Sequence, residues 1–142
     1  MKYFSLVAII FALITSSFIW MPNEEKTEGI QFESLTFEEA LKKAKKEDKL
    51  IFLDAYAVWC GPCKMLDRTT FKNKEVGDVF NENFINLKID MEKGEGPAIA
   101  RKYQVRAYPT MFLINANGKV EKRILGFVKD EQLLSEVENF ID

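Results

Sequence analysis

Leu50-Ile51-Phe52-Leu53-Asp54-Ala55-Tyr56 leads through Ala57 and Val58 into Trp59-Cys60-Gly61-Pro62-Cys63, and Lys64-Met65-Leu66 follows. The opening run is too short and too apolar for a surface helix and fits a strand covered on both faces. The residues after Cys63 read as a helix, so both cysteines sit where strand gives way to helix. They are the only cysteines among 142 residues. Two thiols in a Cys-x-x-Cys pattern can close a small disulfide ring and reopen it, and thiolate attack on a disulfide is the reaction such a pair can perform. A first cysteine at a helix N-terminus meets unpaired N–H groups and the positive end of the helix dipole, which pull its pKa below the free value of about 8.5.

Two blander readings of the pair are a static bridge and half of a zinc site. A structural zinc takes four protein ligands, and a chain with no histidine and no third cysteine does not assemble that set alone. A static bridge across so small a loop contributes little by chain entropy. Redox chemistry is the favoured reading of the pair over a static bridge. Asp54 interrupts the apolar strand. An unpaired buried carboxylate is costly and its pKa rises, which poises it for proton transfer near neutral pH. The plainer alternative is a carboxylate at a strand end, facing solvent or hydrogen-bonded structurally.

Composition is that of an ordinary globular protein with a formal charge of -2, and nothing in it points to nucleic acid. The absence of histidine removes the commonest general base and the commonest metal ligand. Residues 1–21, with Lys2 ahead of an apolar run from Phe4 to Met21, read as a signal peptide, or as a signal anchor if the run stays attached. Export to the periplasm or another extracytoplasmic space follows, with a membrane anchor as the alternative. Residues 22–34 are polar and aperiodic and read as a linker.

Residues 35–142 form the expected domain. Thr36-Phe37-Glu38-Glu39 is a capping box opening a helix to about Glu47, whose lysines make a solvated face. A short helix is expected around Glu75–Asn81 and a buried strand over Phe84–Asp90. Met91–Gly96 reads as a loop, and Pro97 suits the first turn of the next helix. Thr110–Ile114 and Val120–Leu125 flank the hairpin turn Asn115-Ala116-Asn117-Gly118, and a last helix spans Asp130–Ile141. This order implies an α/β fold, a central mixed sheet flanked by helices on both faces.

Trp59-Cys60-Gly61-Pro62-Cys63-Lys64, Asp54 six residues before Cys60, Tyr108-Pro109-Thr110 before a strand, and Gly126 after the hairpin together resemble the thioredoxin family. Thr69-Thr70-Phe71 and Asn73-Lys74-Glu75-Val76 resemble its exported members, including the C-terminal domain of transmembrane thiol:disulfide interchange reductases. The resemblance implies a thioredoxin-like fold and a protein-disulfide reductase with no cofactor beyond the Cys60/Cys63 pair. Cys60 is then the exposed nucleophile, Cys63 the buried resolving thiol, and Asp54 the carboxylate that takes and returns its proton. It further implies a cis bond before Pro109, with Tyr108 backbone pairing to an extended substrate. Trp59, Gly61, Pro62, Thr110 and Gly126 complete the substrate surface.

Two departures from that pattern stand out. Asn86 occupies the position where cytosolic thioredoxins carry a lysine near the buried aspartate, and the loop Met91–Gly96 is longer. With no further cysteine in the sequence, reduction of protein disulfides needs a separate electron donor, expected to be a membrane thiol:disulfide reductase. Gly61-Pro62 resembles reductive rather than oxidising members. A peptide-binding chaperone-like module, and a reductase dedicated to one client such as cytochrome c precursors, are the alternatives.

Overall fold

The computed structural model describes residues 28–141. The expected signal segment 1–21 and the first part of the expected linker lie outside the described residues. Among the described residues five helices and four strands follow one another in the anticipated order: α1 Phe37–Glu47, β1 Leu50–Tyr56, α2 Gly61–Arg68, α3 Lys74–Asn83, β2 Phe84–Asp90, α4 Gly96–Lys102, β3 Thr110–Ile114, β4 Val120–Leu125 and α5 Asp130–Val137. Short 3₁₀ turns cover Thr70–Lys72 and Glu138–Phe140.

The sheet order is β2-β1-β3-β4. β1 runs parallel to β2 and antiparallel to β3, and β3 pairs antiparallel with β4. The parallel pair needs a crossover, which α2 and α3 supply, whereas the β3–β4 pair needs only a turn. In that turn Asn115 Oδ1 accepts from the Asn117 and Lys119 N–H groups, and Gly118 takes φ +78°.

Side-chain alternation along β1 divides the core. Ile51, Leu53 and Ala55 pack with Phe37, Ala40 and Ala44 of α1 and with Ile99 of α4. Phe52 packs on the opposite face with Leu66 of α2, Val76 and Phe80 of α3, and Leu133 and Val137 of α5. Asp54 has the parity of Phe52 and therefore points to the α2 side. Both faces of the sheet are covered by helices, which is why β1 carries a single charged residue, Asp54.

Two boundaries differ from the sequence reading. α5 ends at Val137 and its continuation tightens into a 3₁₀ turn, a common ending where the last carbonyls run out of partners; Leu134 and Ile141 are half-buried. The expected linker 22–34 is not free over its last residues. Ile30 is buried, its N–H bonds Phe71 O at 2.8 Å, and the Glu33 N–H bonds Asn86 O at 2.8 Å. Phe32 lies 5.4 Å from the Phe71 ring and 6.4 Å from Phe52. The apolar residues Ile30 and Phe32 turn this stretch into a strap on the domain. Its close seat depends on glycine: a Cβ on Gly77 would fall 2.5 Å from the Gly29 carbonyl.

Candidate active site

Cys60 is the N-cap of α2. Its backbone is extended and its Sγ accepts the Cys63 N–H at 3.2 Å. Gly61 and Pro62 occupy the first turn, where the proline's missing N–H is of no consequence. Cys60 and Cys63 form a disulfide with Cα atoms 5.3 Å apart. The resemblance implies an exposed Cys60, whereas in the disulfide form Cys60 is 2% and Cys63 1% exposed. The bonded sulfurs pack with Ala57 under the half-buried rings of Tyr56 and Tyr108. Trp59 stands beside them at 65% exposure, edge-on to Tyr108 at 5.8 Å.

The Tyr108–Pro109 peptide bond is cis and Pro109 is buried. Pro109 O accepts the Gly126 N–H at 2.9 Å, and Thr110, fully buried, donates from Oγ1 to Ala107 O at 2.7 Å. Gly126 has φ +76°, a conformation suited to glycine, and a Cβ there would meet open space. The expected surface residues thus divide. Trp59, Gly61 and Pro62 are exposed, Tyr108 and Gly126 are half-buried, and Pro109 and Thr110 are buried. The loop Met91–Gly96 contributes to this rim, since Glu92 Oε2 accepts the Trp59 indole N–H at 3.0 Å. Burial, together with the charges of Glu92 and Asp90, raises the Tyr108 phenol pKa.

Asp54 is completely buried. Its Oδ1 has no hydrogen-bond partner, and its Oδ2 accepts from Lys88 Nζ at 2.6 Å. Burial pushes the Asp54 pKa up to about 6 against the opposing pull of Lys88. Asn86 in place of the family lysine does not leave Asp54 without a cation. Asn86 pairs with Phe52 in the β1–β2 register, two residues short of Asp54, and its amide donates to Phe80 O at 3.2 Å. Lys88 pairs with Asp54 and supplies the cation.

Lys88 also donates to Asp67 Oδ1 at 2.6 Å. Burial alone would lower the Lys88 pKa, but the two carboxylates together raise it. Asp67 lies one turn after Cys63 on the same face of α2, so Lys88 ties Asp54 to the helix face that carries the second cysteine. Among the described residues no group of three or more cysteine, aspartate or glutamate side chains is gathered to hold a metal ion.

Lys88, Asp67 and Glu92 were missed by sequence reasoning. One signal was available for Lys88: it is the fifth residue of an apolar strand, as Asp54 is of its own, and charged interruptions at matching places in paired strands suggest an ion pair.

Residues 37–141 match the family model described as the thioredoxin-like domain. The chain belongs to the thioredoxin-like family. A solution structure from Bacteroides thetaiotaomicron, described as a candidate disulphide-isomerase, is 50% identical, with TM-score 0.71 over 79% of this chain and 93% of that one. The oxidised C-terminal domain of DsbD from Neisseria meningitidis is 27% identical, with TM-score 0.63 over 79% of this chain and 99% of that one. Chloroplastic thioredoxin Y2 of Arabidopsis thaliana is 36% identical over 95 residues, which are 67% of this chain and 53% of that protein. This chain thus spans little more than half the length of that curated relative. Within the thioredoxin-like family frame, the Cys60/Cys63 disulfide at the start of α2 and the cis Tyr108–Pro109 bond are found together in this chain.

Proposed function

We propose that the protein is a thiol:disulfide oxidoreductase that reduces protein disulfides outside the cytoplasm. The observation that carries the reading is Cys60 at the N-cap of α2, its Sγ receiving the Cys63 N–H and its partner in a closed disulfide three residues on. Similarity to the DsbD domain and to the Bacteroides protein supports the reaction class, and the export pattern of residues 1–21 supports the compartment.

In the reduced protein, the Cys60 thiolate attacks one sulfur of a substrate disulfide and expels the other as a thiolate, which takes up a proton. The helix N-terminus stabilises that attacking thiolate. Cys63 then gives its proton to the Asp54 carboxylate and attacks Cys60 Sγ. This expels the second substrate thiolate, which is protonated in turn, and the Cys60–Cys63 bond forms. The substrate gains two electrons and two protons, and the protein loses them. Asp54, with a pKa of about 6, is matched to proton exchange near neutral pH. Trp59 and the half-buried Tyr108 form the apolar wall for the incoming chain, and Gly126 leaves room for its backbone. A separate dithiol protein, in this reading a membrane thiol:disulfide reductase, returns the electrons.

Reduction of insulin disulfides with limiting dithiothreitol tests the reading. Cys60→Ser should abolish the catalysed rate, and Cys63→Ser should accumulate a mixed disulfide through Cys60. An undiminished rate in Cys60→Ser overturns the mechanism. The exposed Trp59 and Leu125, each 65% exposed, also suit a module that holds unfolded polypeptide. Negligible wild-type turnover, with aggregation suppressed equally by a Cys60→Ser/Cys63→Ser variant, would favour that second reading.

A further inference from the structure

Lys88 is shared. Its ammonium lies 2.6 Å from Asp54 Oδ2 and 2.6 Å from Asp67 Oδ1, and the two carboxylates differ sharply in exposure, at 0% and 40% of their side chains. Three rings wall the cation: Tyr56 at 4.4 Å, Phe71 at 5.5 Å and Phe32 of the N-terminal strap at 5.6 Å. Rings at these distances add cation–π attraction and limit where the ammonium can go. Lys88 and Asp67 border an open cavity of about 430 Å³, so the outer end of the trio meets water while Asp54 does not.

We propose that Asp67 is a positioning residue: by sharing the Lys88 ammonium with Asp54, it sets how firmly that buried carboxyl holds the proton it exchanges with Cys63. The inference rests on the role of Asp54 proposed above. One ammonium divides its attraction between two acceptors, and a second carboxylate so close also repels charge on the first. Asp67 therefore makes Asp54 a weaker acid than Lys88 alone would leave it. The other groups facing the trio act from farther out. Tyr56 on β1 presents its ring face, Glu28 and Lys72 line the cavity, and Lys64 and Arg68 flank Asp67 on the outer side of α2. Among the described residues, Asp54 and Asp67 alone form ion pairs with Lys88.

A carboxyl titration of the oxidised full chain, followed by NMR of ¹³C-labelled aspartate, tests this without turnover. Asp54 in the wild type should titrate near pH 6. In Asp67→Asn its midpoint should fall by about one pH unit, with thermal stability little changed, and Asp67→Glu should restore it. In a Lys88→Met background the displacement caused by Asp67→Asn should shrink to less than about half. An Asp54 midpoint unmoved by Asp67→Asn overturns the proposal, as does an equal displacement with and without Lys88. A wild-type protein unable to reduce insulin disulfides would separately overturn the oxidoreductase reading, since the midpoints are read in the absence of any substrate.

Discussion

Lys88 stands directly opposite Asp54 in the parallel register of β1 and β2, and its ammonium donates to Asp54 Oδ2 at 2.6 Å. Each is the fifth residue of its strand, so the ion pair follows from aligning two apolar runs at their first residues. The pair is incomplete, because Asp54 Oδ1 is buried without a partner. That imbalance leaves the carboxyl protonatable near neutral pH.

Asp54 should therefore lower stability as pH rises. Its folded pKa, about 6, lies above the unfolded value of 3.8, so the folded state binds the proton more tightly. The associated stability is fully present below about pH 3.8 and is lost as pH rises through about 6. A shift of this size corresponds to roughly 3 kcal/mol at most. Asp54→Asn should be more stable than wild type by about 1–3 kcal/mol at pH 8 and nearly equal to it at pH 4, as measured by guanidinium unfolding of the oxidised protein.

Lys88→Met should act in the opposite sense. Without the ammonium, the Asp54 carboxylate keeps its burial and loses its partner, so its pKa rises further. Breaking a buried pair in this way costs about 3–5 kcal/mol at pH 8, and the loss should be much smaller at pH 4, where Asp54 is already protonated. The pH profile of disulfide reduction should move to the alkaline side. A profile that stays in place would separate Lys88 from the proton chemistry.

In the proposed function, Trp59 contributes binding area rather than stability. Removing an exposed aromatic from the rim should raise KM for a protein disulfide by about tenfold, while unfolding free energy changes by less than about 0.5 kcal/mol. A large loss of stability with KM unchanged would make Trp59 a packing residue.

The strap should come loose in Gly77→Ala. The added Cβ would lie 2.5 Å from the Gly29 backbone, a clash that only movement of the strap relieves. We expect a loss of about 1–3 kcal/mol and faster hydrogen exchange at the Ile30 amide, which bonds Phe71 O. Unchanged exchange at that amide would show that the strap is held elsewhere.

Much of this was legible from the sequence, and the reasons differ by element. β1, β2 and the β3–β4 hairpin announce themselves because apolar runs bounded by polar turns leave no other buried arrangement. The capping box at Thr36 and Glu39 forms as read, with the Glu39 N–H donating to Thr36 Oγ1 at 3.2 Å. The cysteine pair was legible because spacing alone permits the bridge. What stayed hidden depends on register and tertiary contact. Asn86 and Lys88 share a strand face, so only the pairing with β1 decides which of them reaches Asp54. The strap looked like a linker because Ile30 and Phe32 sit among polar residues and find their partners in Phe52 and Phe71, far along the chain. Burial of Cys60 follows from Tyr56 and Tyr108 closing on the disulfide, which no local pattern encodes.

The reduction potential of the Cys60/Cys63 pair, obtained by equilibrating the protein with thiol buffers of known potential, decides whether the protein reduces or oxidises its substrates. Each 30 mV corresponds to about 1.4 kcal/mol for this two-electron couple, so neighbouring roles are well separated. A reductase supplied by a separate electron donor should have a value of about -250 mV or lower. A value of about -120 to -180 mV would make the protein an oxidant or isomerase and contradict the proposed reduction.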